Sequence, residues 1–386
     1  MIDNRAVFTK YEDKYVLMHI VGNKAEHIYV YDSLCAMPIG SIINCRVENR
    51  AENIGASFVR FDKNDRGFIN KLIKPETVLA LQYKKEAYDE KKATFTDKLT
   101  IEGEYVIAAY GAHHVKVSSK IPESDKSRIA EVFSQILENE DIGVVIRTRA
   151  YTEEDGIERA KEELAGIREL FYGINEKSGH VPAYTVLYSP VPDHIKDLLY
   201  LSDIGIEEIV TDDEEIRCAI EHSYERISGP VKVTDRVRLR FYDDDLIKLC
   251  NLYSFNAKIS EALSRKVYLK SGVYITIEQS EALVSVDVNS AGCLLNKNRE
   301  DTILAINCEA AREVARQLRL RNLSGMVIVD FINMDSKADY DILEDVIRDA
   351  LSKDRINAGF IDFTGLKLCE IVRRRSGRSL YHSLRG

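Results

Sequence analysis

Hydrophobic and polar positions alternate with clear periodicity in the C-terminal half of the chain. Two apolar runs, at 284–289 and 326–331, each contain a carboxylate, Asp287 in the first and Asp330 in the second. Residues 300–322, between them, carry apolar side chains at helical spacing. Strand, helix and strand in this order predict a βαβ unit whose strands are parallel and often neighbours. Both aspartates are therefore expected near the carboxyl ends of their strands, where open α/β sheets place ligands.

Short strands punctuated by glycine predict a small antiparallel barrel over residues 39–47, 55–61 and 67–69. A buried strand at 142–148 is predicted between helices at 127–137 and 153–171. Other strands are predicted at 186–188, 206–210 and 273–277, and a last edge strand over 361–368 precedes a basic tail. Other helices are predicted at 195–201, 214–222, 244–252, 256–270 and 341–353.

The two aspartates are candidates for magnesium binding. Mg²⁺ prefers oxygen ligands and keeps several waters, so two carboxylates a few ångströms apart suit it. Alternatively, each aspartate merely begins a loop or caps a helix. The pairing of Asp287 with Asp330, and Asn289 two residues past the first carboxylate, favour the metal site.

Composition limits the class of protein. A chain of 386 residues predicts two to four domains. The net charge of −9 argues against indiscriminate nucleic-acid binding but permits a local basic channel. Seven cysteines without a CxxC pair predict reduced thiols and a cytoplasmic location. Neither a signal peptide nor a membrane span is expected, because charges open the chain and no apolar run is long enough to cross a bilayer.

The C-terminal half resembles the signature region of the RNase E/G endoribonuclease family. The shared motifs are SGVYITIEQSEAL at 271–283, DVNS at 287–290, EAA at 309–311, ARQLRLR at 315–321 and VIVDFI at 327–332. Matches of this length are far more specific than a short motif, and weaker similarity extends over nearly the whole chain. The resemblance implies magnesium-dependent cleavage of single-stranded RNA, in RNA processing (ribosomal RNA included) or decay, with 5′-phosphate and 3′-hydroxyl products.

The resemblance also implies a multidomain α/β fold. An RNase-H-like fold would contain an inserted OB-fold barrel and a 5′-sensor subdomain, and a DNase-I-like α/β catalytic subdomain would follow. The implied boundaries are 1–37 for the first RNase-H-like segment, 38–102 for the OB-fold barrel, 103–198 for the 5′-sensor-like subdomain, 199–262 for the second RNase-H-like segment and 263–386 for the catalytic subdomain.

Catalysis is implied for Asp287, Asn289 and Asp330, with both aspartates as Mg²⁺ ligands. Phe58 and Phe68 fall where the family's barrel carries aromatic residues that contact RNA. Their other interpretation, which the residues alone favour, is that both rings fill the barrel core. Lys91 lies near a family lysine with the same RNA-contacting role.

A 5′-monophosphate pocket is implied for Gly103, Arg147, Thr148 and Arg373. A guanidinium can bind phosphate in a bidentate way, and a hydroxyl adds a hydrogen bond. Taken without the family, the arginine and threonine are a strand end that closes a surface salt bridge. The family's usual Ala-Gly after Arg-Thr is replaced at 149–151, and its Ser-Arg-Arg-Ile motif is replaced at 118–121. These changes leave open whether the pocket works.

Two further interpretations remain open: a catalytically silent RNA-binding paralogue, and a nuclease that acts on DNA. Asn333 stands where the family has a second carboxylate after the catalytic one. The family's Cys-Pro-x-Cys zinc link is absent, so a zinc-linked dimer is not expected, although another homo-oligomer is open. A truncated chain and a naturally short paralogue would look the same.

Overall fold

The computed structural model of the chain describes residues 4–87, 92–226, 229–244, 246–289 and 299–385. In chain order, the strands of these ranges are β1 Asn4–Tyr11, β2 Lys14–Val21, β3 Lys24–Tyr31, β4 Ile42–Ala51, β5 Ala56–Arg60, β6 Arg66–Ile69, β7 Val78–Lys85, β8 Ala93–Thr96, β9 Thr100–Glu102, β10 Val106–Tyr110, β11 Val115–Val117, β12 Ile142–Ile146, β13 Val186–Tyr188, β14 Glu208–Thr211, β15 Arg238–Phe241, β16 Lys266–Tyr268, β17 Tyr274–Gln279, β18 Leu283–Asn289, β19 Gly325–Asp330, β20 Ala358–Phe363 and β21 Cys369–Arg373.

The α-helices of the same ranges are α1 Glu123–Ile136, α2 Arg149–Thr152, α3 Gly156–Ser178, α4 Asp193–Asp203, α5 Glu214–Glu221, α6 Leu249–Leu252, α7 Phe255–Leu263, α8 Arg299–Leu320, α9 Lys337–Ser352 and α10 Leu380–Arg385. Two 3-10 helices are Glu52–Ile54 and Val233–Asp235. No helix of these ranges is both long enough and apolar enough to cross a lipid bilayer.

The chain divides into two compact units. The first comprises Met1–Leu34, Asp197–Glu221 and Val233–Gly386, and the second comprises Cys35–Lys196 and His222–Lys232. The architecture is a mixed α/β one with several sheets, as the sequence predicts in outline. The individual domain boundaries stay predictions.

The described residues of the first unit form two sheets. One has the order β15-β14-β1-β2-β3, in which β1, β2 and β3 are antiparallel and β14 and β15 are added in parallel. The other has the order β16-β17-β18-β19-β21-β20. We call it the catalytic sheet after the catalytic role that the sequence predicts for Asp287 and Asp330. In the catalytic sheet β18 and β19 are parallel neighbours joined through α8, so the predicted βαβ unit is confirmed.

Alternation along the strands buries the side chains on one face of the catalytic sheet and leaves those on the other face exposed or half-buried. Val284, Val286 and Val288 of β18 are buried together with Val327 and Val329 of β19. These side chains pack with the apolar sides of α8 and α9 in a single core. Since successive side chains of a strand point to opposite faces, Asp287 and Asp330 lie on the other face. We call this second side the open face.

The second unit contains a closed five-stranded barrel in the order β4-β5-β6-β8-β7, closed by the pairing of β4 with β7. This is the predicted OB-like barrel. Its core includes Val47, Val59, Ile69, Leu81 and Phe95. A second sheet, with the order β11-β12-β10-β9, packs in one core with α1 and α3.

Three local predictions are wrong. Within 244–252, only Leu249–Leu252 is α-helical among the described residues. The segment 256–270 divides into α7 and the strand β16, because the helix ends at Leu263 and Lys266–Tyr268 pairs with β17. The strand predicted over 361–368 does lie at the edge of the sheet, as β20, but it ends at Phe363 and is not the last strand. The strand β21 follows it and lies inside the sheet between β19 and β20. Cys369, Ile371 and Arg373 of β21 are buried, and such an interior strand is hard to recognise in a segment that reads as the start of a basic tail.

Candidate active site

The two aspartates meet at the carboxyl ends of β18 and β19. Asp287 and Asp330 are direct partners in the parallel register, the last pair of that ladder. Neighbouring strands are about 4.8 Å apart, so side chains of such a pair project side by side from one face. Both residues are exposed. Two negative side chains are therefore held next to each other on the open face, in contact with solvent.

Asn289 is joined to this pair by a hydrogen bond. Its Nδ2 donates to Oδ2 of Asp287 at 2.5 Å. The two residues are separated by one position in β18, which places both on the open face. Because an amide can donate without adding negative charge, it can orient Asp287 without repelling it. The structure thus brings Asp287, Asn289 and Asp330 together; their catalytic roles stay predictions.

The donor set fits magnesium better than zinc. Among the described residues, no group of three or more His, Cys, Asp or Glu side chains could hold a metal ion. Structural zinc needs four such ligands and catalytic zinc needs three. Mg²⁺ is instead often bound by one or two carboxylates, with waters in the remaining positions. Asp287 and Asp330 could hold Mg²⁺ in this way.

Asn307 holds the chain just beyond Asp330, and the sequence interpretation did not include it. This residue of α8 is fully buried. Its Nδ2 donates to the carbonyl of Ile332 at 2.8 Å, and its Oδ1 accepts from the Ile332 N–H at 3.0 Å. The side chain therefore completes both backbone hydrogen bonds of Ile332, where the ladder with β18 has already ended. The sequence did contain a signal for it: Asn307 is a polar residue four positions after Ile303, on the apolar side of the helix.

Phe58 and Phe68 lie on the outer surface of the barrel. They are direct partners across β5 and β6, and both are half-buried. The alternating positions Val59 and Ile69 are in the barrel core. The core-packing interpretation of the two phenylalanines is therefore wrong, since their strand positions place them on the opposite side of the pleat from the core residues.

A lysine accompanies these rings. Lys91 lies outside the described residues. The ammonium of Lys92 lies 4.8 Å from the ring centroid of Phe58, a cation–π distance. A pair of aromatic rings with an adjacent cation is the kind of surface on which bases stack and a phosphate backbone is followed.

Gly103, Arg147 and Thr148 also come together. The Nη1 of Arg147 donates to the carbonyl of Gly103 at 2.6 Å, and the hydroxyl of Thr148 lies 2.9 Å from the hydroxyl of Ser118. Arg147 is exposed. Among the described residues it makes no ion pair, and its remaining N–H groups could bind an anion.

Glu163 fixes the turn that includes Gly103. Its carboxylate is buried and accepts hydrogen bonds from the backbone N–H groups of Glu104, Tyr105 and Val106, at 2.7, 2.8 and 2.9 Å. A Cβ atom at position 103 would overlap this carboxylate. Only glycine therefore fits, so that the carbonyl of Gly103 can meet Arg147.

A compensated ion network lies beside this turn. Arg149 donates to Glu104 at 3.0 Å and to Glu153 at 2.5 Å, and Arg226 donates to Glu104 at 2.5 Å. Hydrogen bonds from the Tyr105 hydroxyl and the Arg149 guanidinium lower the pKa of the Glu153 carboxyl. Each arginine of the network therefore has an acidic partner, whereas the partner of Arg147 is the neutral carbonyl of Gly103.

Arg373 belongs to the first unit and has partners there. Its side chain is 3% exposed, and its Nε donates to Asp354 at 2.7 Å. Its Nη1 donates to Oδ1 of Asn322 and to the carbonyl of Leu323. These bonds account for its burial in β21. Its role in phosphate sensing stays a prediction.

Fold and site define a multidomain α/β protein that combines a small closed barrel with a paired-carboxylate site. The protein-family model described as "Ribonuclease E/G family" matches residues 100–376. Ribonuclease G of Escherichia coli (strain K12) is 31% identical over 320 residues, 82% of this chain and 63% of that protein. Ribonuclease E of Nostoc sp. is 30% identical over 365 residues, 89% of this chain and 52% of that protein. The chain belongs to the Ribonuclease E/G family, and it spans 52% to 63% of the length of these two relatives.

Proposed function

We propose that the protein is a magnesium-dependent endoribonuclease that cleaves single-stranded RNA and leaves 5′-phosphate and 3′-hydroxyl ends. The observation that carries the proposal is the direct pairing of Asp287 with Asp330 on parallel neighbouring strands. The names of the relatives, Ribonuclease G and Ribonuclease E, support the class of reaction.

In this proposal Asp287 and Asp330 are the magnesium ligands. Bound Mg²⁺ would activate or orient water and neutralise the charge that develops on the scissile phosphate. Asn289 holds one carboxylate oxygen of Asp287 in place, so that the aspartate does not need to reorganise on binding. Attack of water with the 3′ oxygen as leaving group gives the proposed ends.

The barrel would bind the RNA as an unpaired strand. Phe58 and Phe68 offer ring surface for base stacking, and Lys92 offers a positive charge beside them. Lys91, the residue that the family resemblance indicates, belongs to the same proposed contact. Single strands are recognised in this manner because their bases are free to leave the stack.

The subdomain names belong to the same proposal. The antiparallel strands β1, β2 and β3, extended in parallel by β14 and β15, support an RNase-H-like fold. The sheet β11-β12-β10-β9 would be a 5′-sensor subdomain, and the catalytic sheet with α8 and α9 a DNase-I-like one.

We also propose that Gly103, Arg147 and Thr148 bind a 5′-monophosphate. The exposed guanidinium of Arg147, uncompensated by acid among the described residues, supports this role. A cytoplasmic location and a role in RNA processing (ribosomal RNA included) or decay complete the proposal.

The test is cleavage of 5′-monophosphorylated single-stranded RNA with and without Mg²⁺. Asp330→Asn should reduce the rate at least about 1,000-fold, because it removes a charge from the metal site, while RNA binding without metal remains. Asp335→Asn is the matched control, since Asp335 is exposed and follows β19 closely. Undiminished cleavage by Asp330→Asn protein would exclude the assigned site.

The same assay separates the other interpretations. A silent RNA-binding paralogue would bind the RNA without magnesium-dependent cleavage, and the retained carboxylate pair argues against it. A DNA nuclease would cleave substrates with 2′-deoxy substitutions as well as it cleaves RNA.

A further inference from the structure

One row of open-face side chains crosses the catalytic sheet at the metal site. Lys266 of β16 pairs with Thr276 of β17, Thr276 pairs with Asp287 of β18, and Asp287 pairs with Asp330 of β19. Directly paired residues project from the same face of a sheet. A lysine therefore stands at one end of the row and the two carboxylates stand at the other.

A second row lies next to the first, towards the carboxyl end of β18. Tyr268 of β16 pairs with Tyr274 of β17, and Tyr274 pairs with Asn289 of β18. Each member is two residues from a member of the first row, so it lies on the same face. Two tyrosines thus continue the row that begins with the asparagine of the candidate active site.

The tyrosines and the lysine contact one another. The ring centroids of Tyr268 and Tyr274 are 5.8 Å apart, and the Lys266 ammonium lies 4.6 Å from the Tyr274 centroid. Tyr268 is 71% exposed. An aromatic side chain with that exposure contributes little to the core.

The positive charge of Lys266 is not used in an ion pair within the described ranges of the chain. Its neighbour Arg265, in contrast, pairs with Glu278. Lys266 thus leaves a cation available in the same row as two carboxylates that would bind a metal ion.

We propose that Tyr268, Tyr274 and Lys266 form a nucleotide subsite for single-stranded RNA next to the scissile phosphate. The Tyr268 ring stacks on the base of a flanking nucleotide, and the Lys266 ammonium, held over Tyr274, pairs with the phosphate of that nucleotide. This subsite rests on the proposed function. It adds a recognition element on the catalytic sheet itself, separate from the barrel aromatics.

The chemistry of the surface suits this ligand. Every base presents a π-face, and its stacking on an aromatic side chain is tolerant of sequence. The Lys266 charge attracts the RNA backbone towards a face whose carboxylates would otherwise repel it. A single strand that crosses from β16 to β19 would meet the stacking ring, the lysine and the two carboxylates within one sheet.

The first experiment measures stacking without catalysis. A short single-stranded RNA with 2-aminopurine beside the cleavage site is titrated with protein in the absence of divalent metal. Stacking on Tyr268 should quench the fluorescence, and Tyr268→Ala should remove the quenching and weaken binding roughly tenfold. Tyr268→Phe, which keeps the ring, should restore both.

Matched controls separate the subsite from general damage. Tyr381→Ala removes a tyrosine of similar kind, 43% exposed with Arg385 over its ring, and should leave the quenching unchanged. Lys266→Gln should weaken binding and reduce its salt dependence. Arg265→Gln changes the adjacent charge that is already paired, and should do neither.

The second experiment pairs protein and RNA changes. An abasic nucleotide at the flanking position should slow magnesium-dependent cleavage by the unaltered protein to the rate of Tyr268→Ala on normal RNA. The two changes together should be no worse than either alone, because both remove one stacking contact. Additive losses, or quenching that persists in Tyr268→Ala, would overturn the subsite.

The outcomes also distinguish this proposal from the proposed function. Quenching that depends on Tyr268, in a protein that never cleaves RNA, would retain the subsite and reject the nuclease. Cleavage that is indifferent to Tyr268 and Lys266 would retain the nuclease and reject the subsite. If Tyr268→Ala instead changes only the oligomeric state, the surface is a contact between proteins and the subsite is rejected.

Discussion

The open face of the catalytic sheet and the turn around Gly103 arrange charge in opposite ways. On the open face, Asp287 and Asp330 are exposed side by side, and the hydrogen-bond partner of Asp287 in the described chain is the neutral amide of Asn289. Beside the turn, Arg149 is bound by two glutamates. On the open face two like charges are adjacent, whereas beside the turn each positive charge is paired with a negative one.

The difference indicates which charges are available to a ligand. Two adjacent carboxylates without a cation repel one another, and bound Mg²⁺ would remove that repulsion. A compensated arginine gains little from an added anion, because the anion must displace a carboxylate already in place. By this criterion Arg147, which binds a carbonyl, would be a better phosphate ligand than Arg149.

After Asp330→Asn, the largest effect is expected for Asn289, the amide beside the carboxylates. Asn289→Ala removes the hydrogen bond to Asp287 and should lower magnesium affinity and cleavage roughly 10- to 100-fold. Calorimetric titration with Mg²⁺, together with the magnesium concentration that gives half-maximal cleavage, measures the change. Asn289→Asp should be at least as damaging, since it replaces a donor with a third negative charge. If Asn289→Asp binds magnesium more tightly, the neutral amide is not what the site requires.

The next largest effect is expected for Asn307. Its substitution tests whether magnesium binding requires the chain beyond Asp330 to be held in place. Asn307→Leu keeps the side-chain volume but leaves the N–H and C=O of Ile332 without their partners. We expect a loss of about 2–4 kcal/mol in unfolding free energy, because each unsatisfied buried group costs about 1–3 kcal/mol. Magnesium affinity should fall roughly tenfold as Asp330 loses its fixed position.

Asn44→Leu is the matched control for this change. Asn44 is also fully buried, and its amide donates to the carbonyls of Val181 and Pro182 in the second unit. Both substitutions should destabilise the protein, whereas only Asn307→Leu should weaken magnesium binding. Equal magnesium affinity in the two variants would show that Asn307 stabilises the fold without positioning Asp330.

Much of the catalytic sheet could be predicted because its signals are local. A run that ends near Asp287, a periodic helix and a run that ends at Asp330 define a βαβ unit in which the carboxylates must be neighbours. The position of Phe58 and Phe68 was harder to predict from the sequence. The choice between the inside and the outside of a barrel depends on the register of strands that are distant in sequence.

Other features of the site could not be predicted because their partners come from distant elements. The contact of Asn307 with Ile332 joins a helix to a loop, and no pattern in the helix indicates which backbone group the amide meets. The burial of Arg373 could not be predicted for the same reason. From the sequence alone, a basic residue near a basic tail is expected to be exposed. Its burial depends on Asp354, Asn322 and the carbonyl of Leu323.

A smaller effect is expected at the turn held by Glu163. Gly103→Ala places a Cβ atom against the buried carboxylate, and we expect a loss of about 1–3 kcal/mol in unfolding free energy. Gly173→Ala is the control within α3, since a Cβ there meets nothing within 4 Å. This control should be neutral or slightly stabilising because alanine favours helix. Equal stability of the two variants would mean that the turn can move away from Glu163 at little cost.

The smallest effect is expected when Arg147, which has no acidic partner among the described residues, is compared with Arg149, which has two. Cleavage rates on RNA with a 5′-monophosphate and with a 5′-hydroxyl give a ratio for each protein. Arg147→Gln should lower this ratio a few-fold, because it removes an exposed guanidinium whose other N–H groups are open to phosphate. Arg149→Gln should leave the ratio unchanged and reduce stability by less than about 1 kcal/mol, the usual range for such exposed pairs. The reverse result would mean that a phosphate displaces Glu104 or Glu153 from Arg149, and that compensated charge is no guide to the binding residues here.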